Sequence, residues 1–186
     1  MMARRVRRLA VIVVVLLLAG AVALVLATRP KLDDARSKVD RTWAPLRAPL
    51  DARYERLAAA NVELAAAGGG ARDVSRALGL YLARWDRLRR AKDQDADAYA
   101  EAQTADQLEG LATRLQAIVL SSDRLKGVDA LNQAIAGFEG TAPPLPAIKT
   151  YNDAARSYED DRNGLLRSPV ASLFGYDSRP QLLLSG

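Results

Sequence analysis

The sequence predicts an all-α protein: an N-terminal transmembrane helix followed by an antiparallel, up-and-down bundle of about four helices. Three observations carry that expectation. Leu9 to Ala27 form a run of nineteen residues without a charge. Beyond it, apolar residues recur at steps of three and four, the period of a helix that buries one face. Nowhere does the chain alternate apolar and polar residues as a half-buried strand would.

At about 1.5 Å per residue, the uncharged run makes a helix of roughly 28 Å, near the hydrocarbon thickness of a bilayer. Arg4, Arg5, Arg7 and Arg8 precede it without an acid among them. A cleaved signal peptide shares the basic start, and Ala21-Val22-Ala23 or Val25-Leu26-Ala27 has the small residues of a cleavage site. The apolar core of such a peptide is typically about 7–15 residues, shorter than this run. The segment therefore reads as a retained signal-anchor over residues 9–28, behind a basic tail over 1–8, with the lipid bilayer as its partner. The chain has no cysteine, so a lipidated one cannot serve as tether. Unmixed arginines resist translocation, which puts the N-terminus in the cytoplasm and the domain of this single-pass protein outside it. Arg29, Lys31, Arg36, Lys38 and Arg41 on the far side are interspersed with Asp33, Asp34 and Asp40 and weigh less.

Removing residues 1–28 takes four of the 27 basic residues and none of the 22 acidic ones, leaving a nearly neutral domain. The excess of positive charge thus belongs to the topogenic segment and is no argument for a nucleic-acid partner. The remaining length suits one domain with a sizeable core. Histidine is absent along with cysteine. Cys/His zinc sites, haem ligated through either residue and Ser-His-Asp or Cys-His nucleophile systems are therefore excluded. No cofactor and no enzymatic activity are expected.

After the anchor, a stripe passes through Val39, Trp43, Leu46, Leu50, Leu57, Ala60 and Leu64, broken only by Arg53. Pro45 and Pro49 fall inside it, so a kink or a restart is expected near Pro45. Gly68-Gly69-Gly70 ends this arm. Asp73 is placed to cap a second helix with the stripe Val74, Leu78, Tyr81, Trp85 and Leu88. Arg84, Arg87, Arg89, Arg90 and Lys92 close it, where cations oppose the negative end of the helix dipole. Residues 93–106, acidic and alanine-rich, form a loop passing into a third helix carrying Leu108, Leu111, Leu115, Ile118 and Val119. A break at Ser121-Ser122-Asp123 precedes a helical piece with Val128, Leu131, Ile135 and Phe138. Gly140 and the prolines 143, 144 and 146 make the next turn. The last helix runs from about Ala147 to Arg167, with Ile148, Tyr151, Ala155, Tyr158 and Leu165 on one face, and Pro169 ends or kinks it. The bundle thus spans residues 29–168 and an apolar tail spans 169–186.

Few residues here suit chemistry. Asp93-x-Asp95-x-Asp97 begins like a calcium loop, but Ala98 stands where such a loop needs its glycine and Thr104 where it needs its glutamate. It reads as a solvated acidic loop. Glu159, Asp160 and Asp161 point in different directions on a helix and suit pairing with Arg156 and Arg162 better than joint ion binding. Tyr151 and Tyr158, seven residues apart, lie on the core-facing stripe beside Asn152, each hydroxyl needing a partner at the bundle edge. Packing with one satisfied hydrogen bond competes here with a polar recognition edge.

The segment from Tyr151-Asn152-Asp153 to Tyr158, followed by Leu173-Phe174-Gly175-Tyr176 and Arg179-Pro180, resembles the signature of the LemA family. Leu125-Lys126, Glu139-Gly140-Thr141 and the group Trp43, Leu46, Leu50, Arg53 and Glu55 look like further family positions. Tyr158-Glu159 stands where the family repeats Tyr-Asn, and Leu165-Leu166 where it has Phe-Pro, which suits a divergent branch. The high alanine and arginine content suits a GC-rich bacterial genome, and the resemblance is to a divergent, actinobacterial-type member of the family. The resemblance implies an anchored antiparallel helical bundle with no established catalysis. Its motif positions here, Trp43, Arg53, Glu55, Tyr151, Asn152, Tyr158, Phe174 and Gly175, are the candidate interaction residues.

Two functions follow as expectations. One is a membrane-tethered scaffold or adaptor of the bacterial cell envelope, presenting a helix face or the apolar tail Phe174 to Leu184 to an envelope protein. The alternative is a solute- or ligand-sensing domain coupled to the membrane helix, which needs a polar cavity lined by Tyr151, Asn152, Tyr81 and Arg53. A hydrolase working through two carboxylates on different helices is a distant third.

Overall fold

The computed structural model describes residues 2–68, 71–91, 97–164 and 167–184, apart from the side chains of residues 2–11, 14 and 17. Most of the described residues are helical, and no strand occurs among them. In chain order the helices are α1 (Met2–Trp43), a 3₁₀ turn (Ala44–Leu46), α2 (Arg47–Ala67), α3 (Arg72–Arg90), α4 (Ala98–Ser121), α5 (Asp123–Lys126), α6 (Asp129–Glu139), α7 (Leu145–Arg162) and α8 (Ser168–Leu173). The all-α expectation holds, but the four expected helices are too few. Short breaks at Ser122, Gly127 and Gly164 divide the chain further.

Two compact units share it. One comprises Met1–Ser37 with Ser157–Ser178, the other Lys38–Arg156 with Arg179–Gly186. In the larger unit α2 packs against α3 and α6, and α3 against α4. The expected stripe of α2 is the core: Leu46, Leu50, Leu57, Ala60 and Leu64 are almost fully buried. Leu78, Leu108, Leu115, Leu131 and Phe138 join them. Burying one such side chain contributes about 1.5–3 kcal/mol.

The anchor was expected to end near residue 28, but α1 continues through Pro30 to Trp43. Proline removes one helical hydrogen bond. Thr28 and Leu32, on either side of it, are buried. Pro45 instead sits in the 3₁₀ turn, and α2 restarts at Arg47, as expected. Gly68 ends α2 at φ 62°, a left-handed conformation that favours glycine.

Three further expectations are corrected. The residue capping α3 is Ala71, and no side chain caps that end. Asp73 lies within the first turn, exposed, near Arg76 at 3.7 Å. Finally, α7 stops at Arg162 rather than Arg167, and Pro169 opens α8 instead of closing α7. Proline fits a first helical turn because its missing N–H would have had no partner there. The stretch taken for a plain apolar tail therefore begins as a helix.

Among the described residues, no helix is long and apolar enough to cross a membrane. The expected span over 9–28 falls partly outside them, at the side chains of residues 9–11, 14 and 17. Of its described side chains, Ile12, Val13, Val15, Leu16, Leu18, Val22 and Leu26 are 53–70 % exposed.

Candidate functional site

Helix α4 carries two carboxylates on its core face. Glu101 and Glu109 lie eight residues apart, on the same side as Ala105, Leu108 and Ala112, and both are buried. Burying an isolated carboxylate is costly, so each needs cationic or N–H partners. Glu101 accepts from Trp43 Nε1 at 2.6 Å, Arg47 Nε at 2.8 Å and Arg89 Nη1 at 3.3 Å. Arg89 also donates to both Asp51 oxygens, at 3.1 and 3.2 Å, and Trp85 Nε1 donates to Asp51 at 2.9 Å. One network thus ties α1, α2, α3 and α4 together. Burial alone would lower the Arg89 pKa, but the hydrogen bonds and charges of Asp51 and Glu101 outweigh it and raise it.

Arg53, the apparent break in the α2 stripe, belongs to the second network. Its Nε and Nη2 donate to the two oxygens of Glu109 at 2.8 and 2.9 Å. Its Nη1 reaches the carbonyls of Phe138 and Thr141 at 3.0 and 3.2 Å. The guanidinium lies 3.8 Å from the Phe138 ring centre, a cation–π contact. Beside it, the Tyr54 hydroxyl donates to the Ala105 carbonyl at 3.3 Å. Burial and the Glu109 charge push the Tyr54 pKa well up.

The C-terminal segment is held by α7. Tyr151 donates to the Pro180 carbonyl at 2.8 Å. Asn152 takes Leu182 at two points, its Nδ2 donating to the carbonyl at 3.0 Å and its Oδ1 accepting from the N–H at 2.8 Å. The Asn152 amide thus satisfies both backbone groups of one residue. Arg179, itself buried, donates to Asp40 at 3.0 Å and faces the Tyr99 ring. Trp43 and Tyr151 meet edge to face, 4.9 Å between centres. Leu182 is consequently buried, while Leu183 is 70 % exposed.

In the smaller unit, Tyr158 donates to the Asp177 carbonyl at 3.0 Å and Arg162 to the Tyr176 carbonyl at 2.8 Å. The Tyr176 hydroxyl donates to Asp33 at 2.5 Å. Gly175 ends α8 at φ 67°. Phe174, 41 % exposed, lies under Arg29 at 5.1 Å.

The structure thus brings Tyr151 and Asn152 onto the final segment, sets Trp43 against Tyr151 and Arg53 in the interior, and gives Tyr158 a carbonyl partner of its own. Glu55 stands apart. It is exposed, on an open cleft of about 390 Å³ lined also by Asp51, Tyr54, Trp85, Asp86 and Arg89. The alternative of a sensing cavity needs polar groups of Arg53, Tyr151 and Asn152 that here bind Glu109, Pro180 and Leu182. Packing, with each hydroxyl satisfied, describes both tyrosines.

Among the described residues no three acidic side chains group as a metal site would require. Asp93 and Asp95 lie outside them, as does Lys92. Asp97 caps α4, accepting from the N–H groups of Tyr99 and Ala100. Glu159 pairs with Arg162, as expected, and Asp161 with Arg167. Arg156 instead approaches Asp153, which lies closer to Lys149.

The sequence reading missed Glu101 and Glu109, the pairing of Glu101 with Arg47 and Arg89, and Asp51 as the second partner of Arg89. Their signal was positional: Glu101 precedes Ala105, Leu108 and Ala112 in one helical stripe, and Glu109 follows Ala105 by four. Compared with models of protein families, with curated proteins and with solved structures, the chain matches none.

Proposed function

We propose that this chain is a membrane-anchored helical-bundle scaffold or adaptor of the bacterial cell envelope, LemA-like and without catalysis of its own. One observation carries the reading. A helix on which Ile12, Val13, Val15, Leu16, Leu18, Val22 and Leu26 stay exposed leads without a break into a bundle whose buried charges are engaged with one another. Exposed apolar side chains in that number find their natural solvent in lipid. The buried carboxylates, meanwhile, are bound by arginines and shielded from any substrate. The positions that resemble the LemA signature are largely those that build the core and hold the last segment, as a fold signature requires. Residues 9–28 are the span, and the arginines at 4, 5, 7 and 8 hold the N-terminus in the cytoplasm. The solute-sensing alternative has less support, because three of the four side chains it needs are engaged.

The absence of native cysteine permits a direct test. With Asp73→Cys, an exposed position, a membrane-impermeant maleimide is expected to label the chain on intact cells. Labelling only after lysis would reverse the orientation. Carbonate-washed membranes are expected to retain the chain, and recovery in the detergent-free soluble fraction with its first thirty residues attached would overturn the anchor. Cross-linked partners lost on deleting 169–186 would assign the docking role to the tail, and unchanged partners would remove it.

A further inference from the structure

We infer that the end of α8, Leu173 with Phe174, dips into the bilayer surface beside the anchor and gives the smaller unit a second contact with lipid. The inference rests on the anchored reading above. Leu173 is 74 % exposed and Phe174 41 % exposed, although Val170 and Ala171 on the same short helix are buried. Helix α8 therefore has a covered face and an open apolar end. That end is located along α1 by Phe174, whose ring lies 5.1 Å from the Arg29 guanidinium. Val22, Leu26 and Arg29 follow one another at steps of four and three, on one face of α1. Phe174 thus abuts the extension of the stripe on which Val22 and Leu26 stand 58 % and 70 % exposed.

Arg29 comes two residues after the uncharged run, about 3 Å further along the axis. That is the depth at which a bilayer passes from hydrocarbon to headgroups. Aromatic rings and arginines with apolar stems concentrate at this level, the ring in the acyl boundary and the cation toward phosphate. Coverage of α1 changes at the same height. Its described side chains from Ile12 to Ala23 are exposed, Leu24 and Val25 are half-buried, and Thr28 and Leu32 are buried. Gly175, at φ 67°, turns the chain away immediately after Phe174, and Tyr176 returns to Asp33 on the helix at 2.5 Å. Leu173 and Phe174 therefore form the tip of a turn pinned to α1 on its far side. Lipid is the fitting occupant because the apolar surface of this tip continues that of the anchor.

The test uses the full chain in lipid nanodiscs, with an environment-sensitive dye on Leu173→Cys or, separately, on Leu18→Cys in the middle of the run. Spin-labelled lipids quench at two depths, near the headgroups and deep in the acyl chains. The Leu18 dye is expected to be quenched mainly by the deep lipid, and the Leu173 dye severalfold more by the shallow lipid than by the deep one. A Leu173 dye quenched only by aqueous iodide, with Leu18 still deep, overturns the second contact and leaves the anchor standing. A Leu18 dye untouched by either lipid overturns the anchor and the inference together. A Leu173 dye shielded from iodide yet unquenched by both lipids places a protein surface there and overturns the inference. Moving the dye to the exposed Ser172→Cys and adding Leu173→Glu and Phe174→Glu is expected to reduce shallow quenching severalfold. Unchanged quenching would assign the insertion to the dye and overturn the proposal.

Discussion

Arg53 and Glu109 meet inside the larger unit as a two-point pair, at 2.8 and 2.9 Å, with their side chains 1 % and 3 % exposed. A pair so deeply buried contributes little net stability against a well-packed apolar replacement, yet breaking it from one side is costly.

Glu109→Leu is therefore expected to destabilise the bundle by about 3–5 kcal/mol, because the Arg53 charge loses its counter-ion inside. Adding Arg53→Met should recover a large part of that loss. Urea unfolding of the full chain in detergent, read as a double-mutant cycle, checks this. Strictly additive losses would contradict the coupling.

Trp43→Phe keeps the ring against Tyr151 but removes the N–H that reaches Glu101 at 2.6 Å. Glu101 keeps its bonds from Arg47 and Arg89, so the expected cost is about 1–3 kcal/mol, that of one charge-assisted hydrogen bond. A melting temperature equal to the parent's would show that the indole contributes packing alone.

Asn152→Ala removes both bonds to Leu182 while Tyr151 still holds Pro180. The Leu182 amide should then exchange with solvent far faster, and protease should reach the final residues sooner, before α7 or the core opens. Hydrogen exchange with residue-level readout distinguishes this from general loosening.

Gly175→Ala is expected to cost about 1–2 kcal/mol through backbone strain at φ 67° alone, since no atom lies within 4 Å of the added methyl group. Gly175→Asn should cost less, because asparagine tolerates this conformation. Equal losses in both variants would point to a steric cause instead.

The alkaline limb of stability should be set by Tyr54 and Tyr151. Burial raises both above the ordinary tyrosine value of 10.0. A group whose folded pKa is raised adds stability that is complete below the unfolded value and lost as pH climbs from there through the folded one. Stability is thus expected to fall from about pH 10 upward, with both phenols ionising only as the chain unfolds. Part of the tyrosinate absorbance should rise cooperatively, together with unfolding. Tyr54→Phe should flatten that cooperative step.

Helix type, the restart at Pro45, the stop at Gly68 and the break at Ser122 were legible in the chain because each depends on a few neighbouring residues. Apolar steps of three and four, a missing proline N–H and a glycine at positive φ act locally. The uncharged run and its arginines were legible for the same reason, since they require only composition and order. Which polar residues go inside was not. Glu101 and Glu109 stand among alanines and leucines on α4, and whether such a carboxylate faces water or the core depends on Arg47, Arg89 and Arg53, more than ten residues away in the chain. Tyr151, Asn152 and Tyr158 were recognised as important, but their partners are backbone groups of Pro180, Leu182 and Asp177, which no residue type announces. Sequence alone determined the helical class and the apolar run; tertiary structure decided which charges are buried together and what holds the final segment, because pairing energy depends on distance in space and burial.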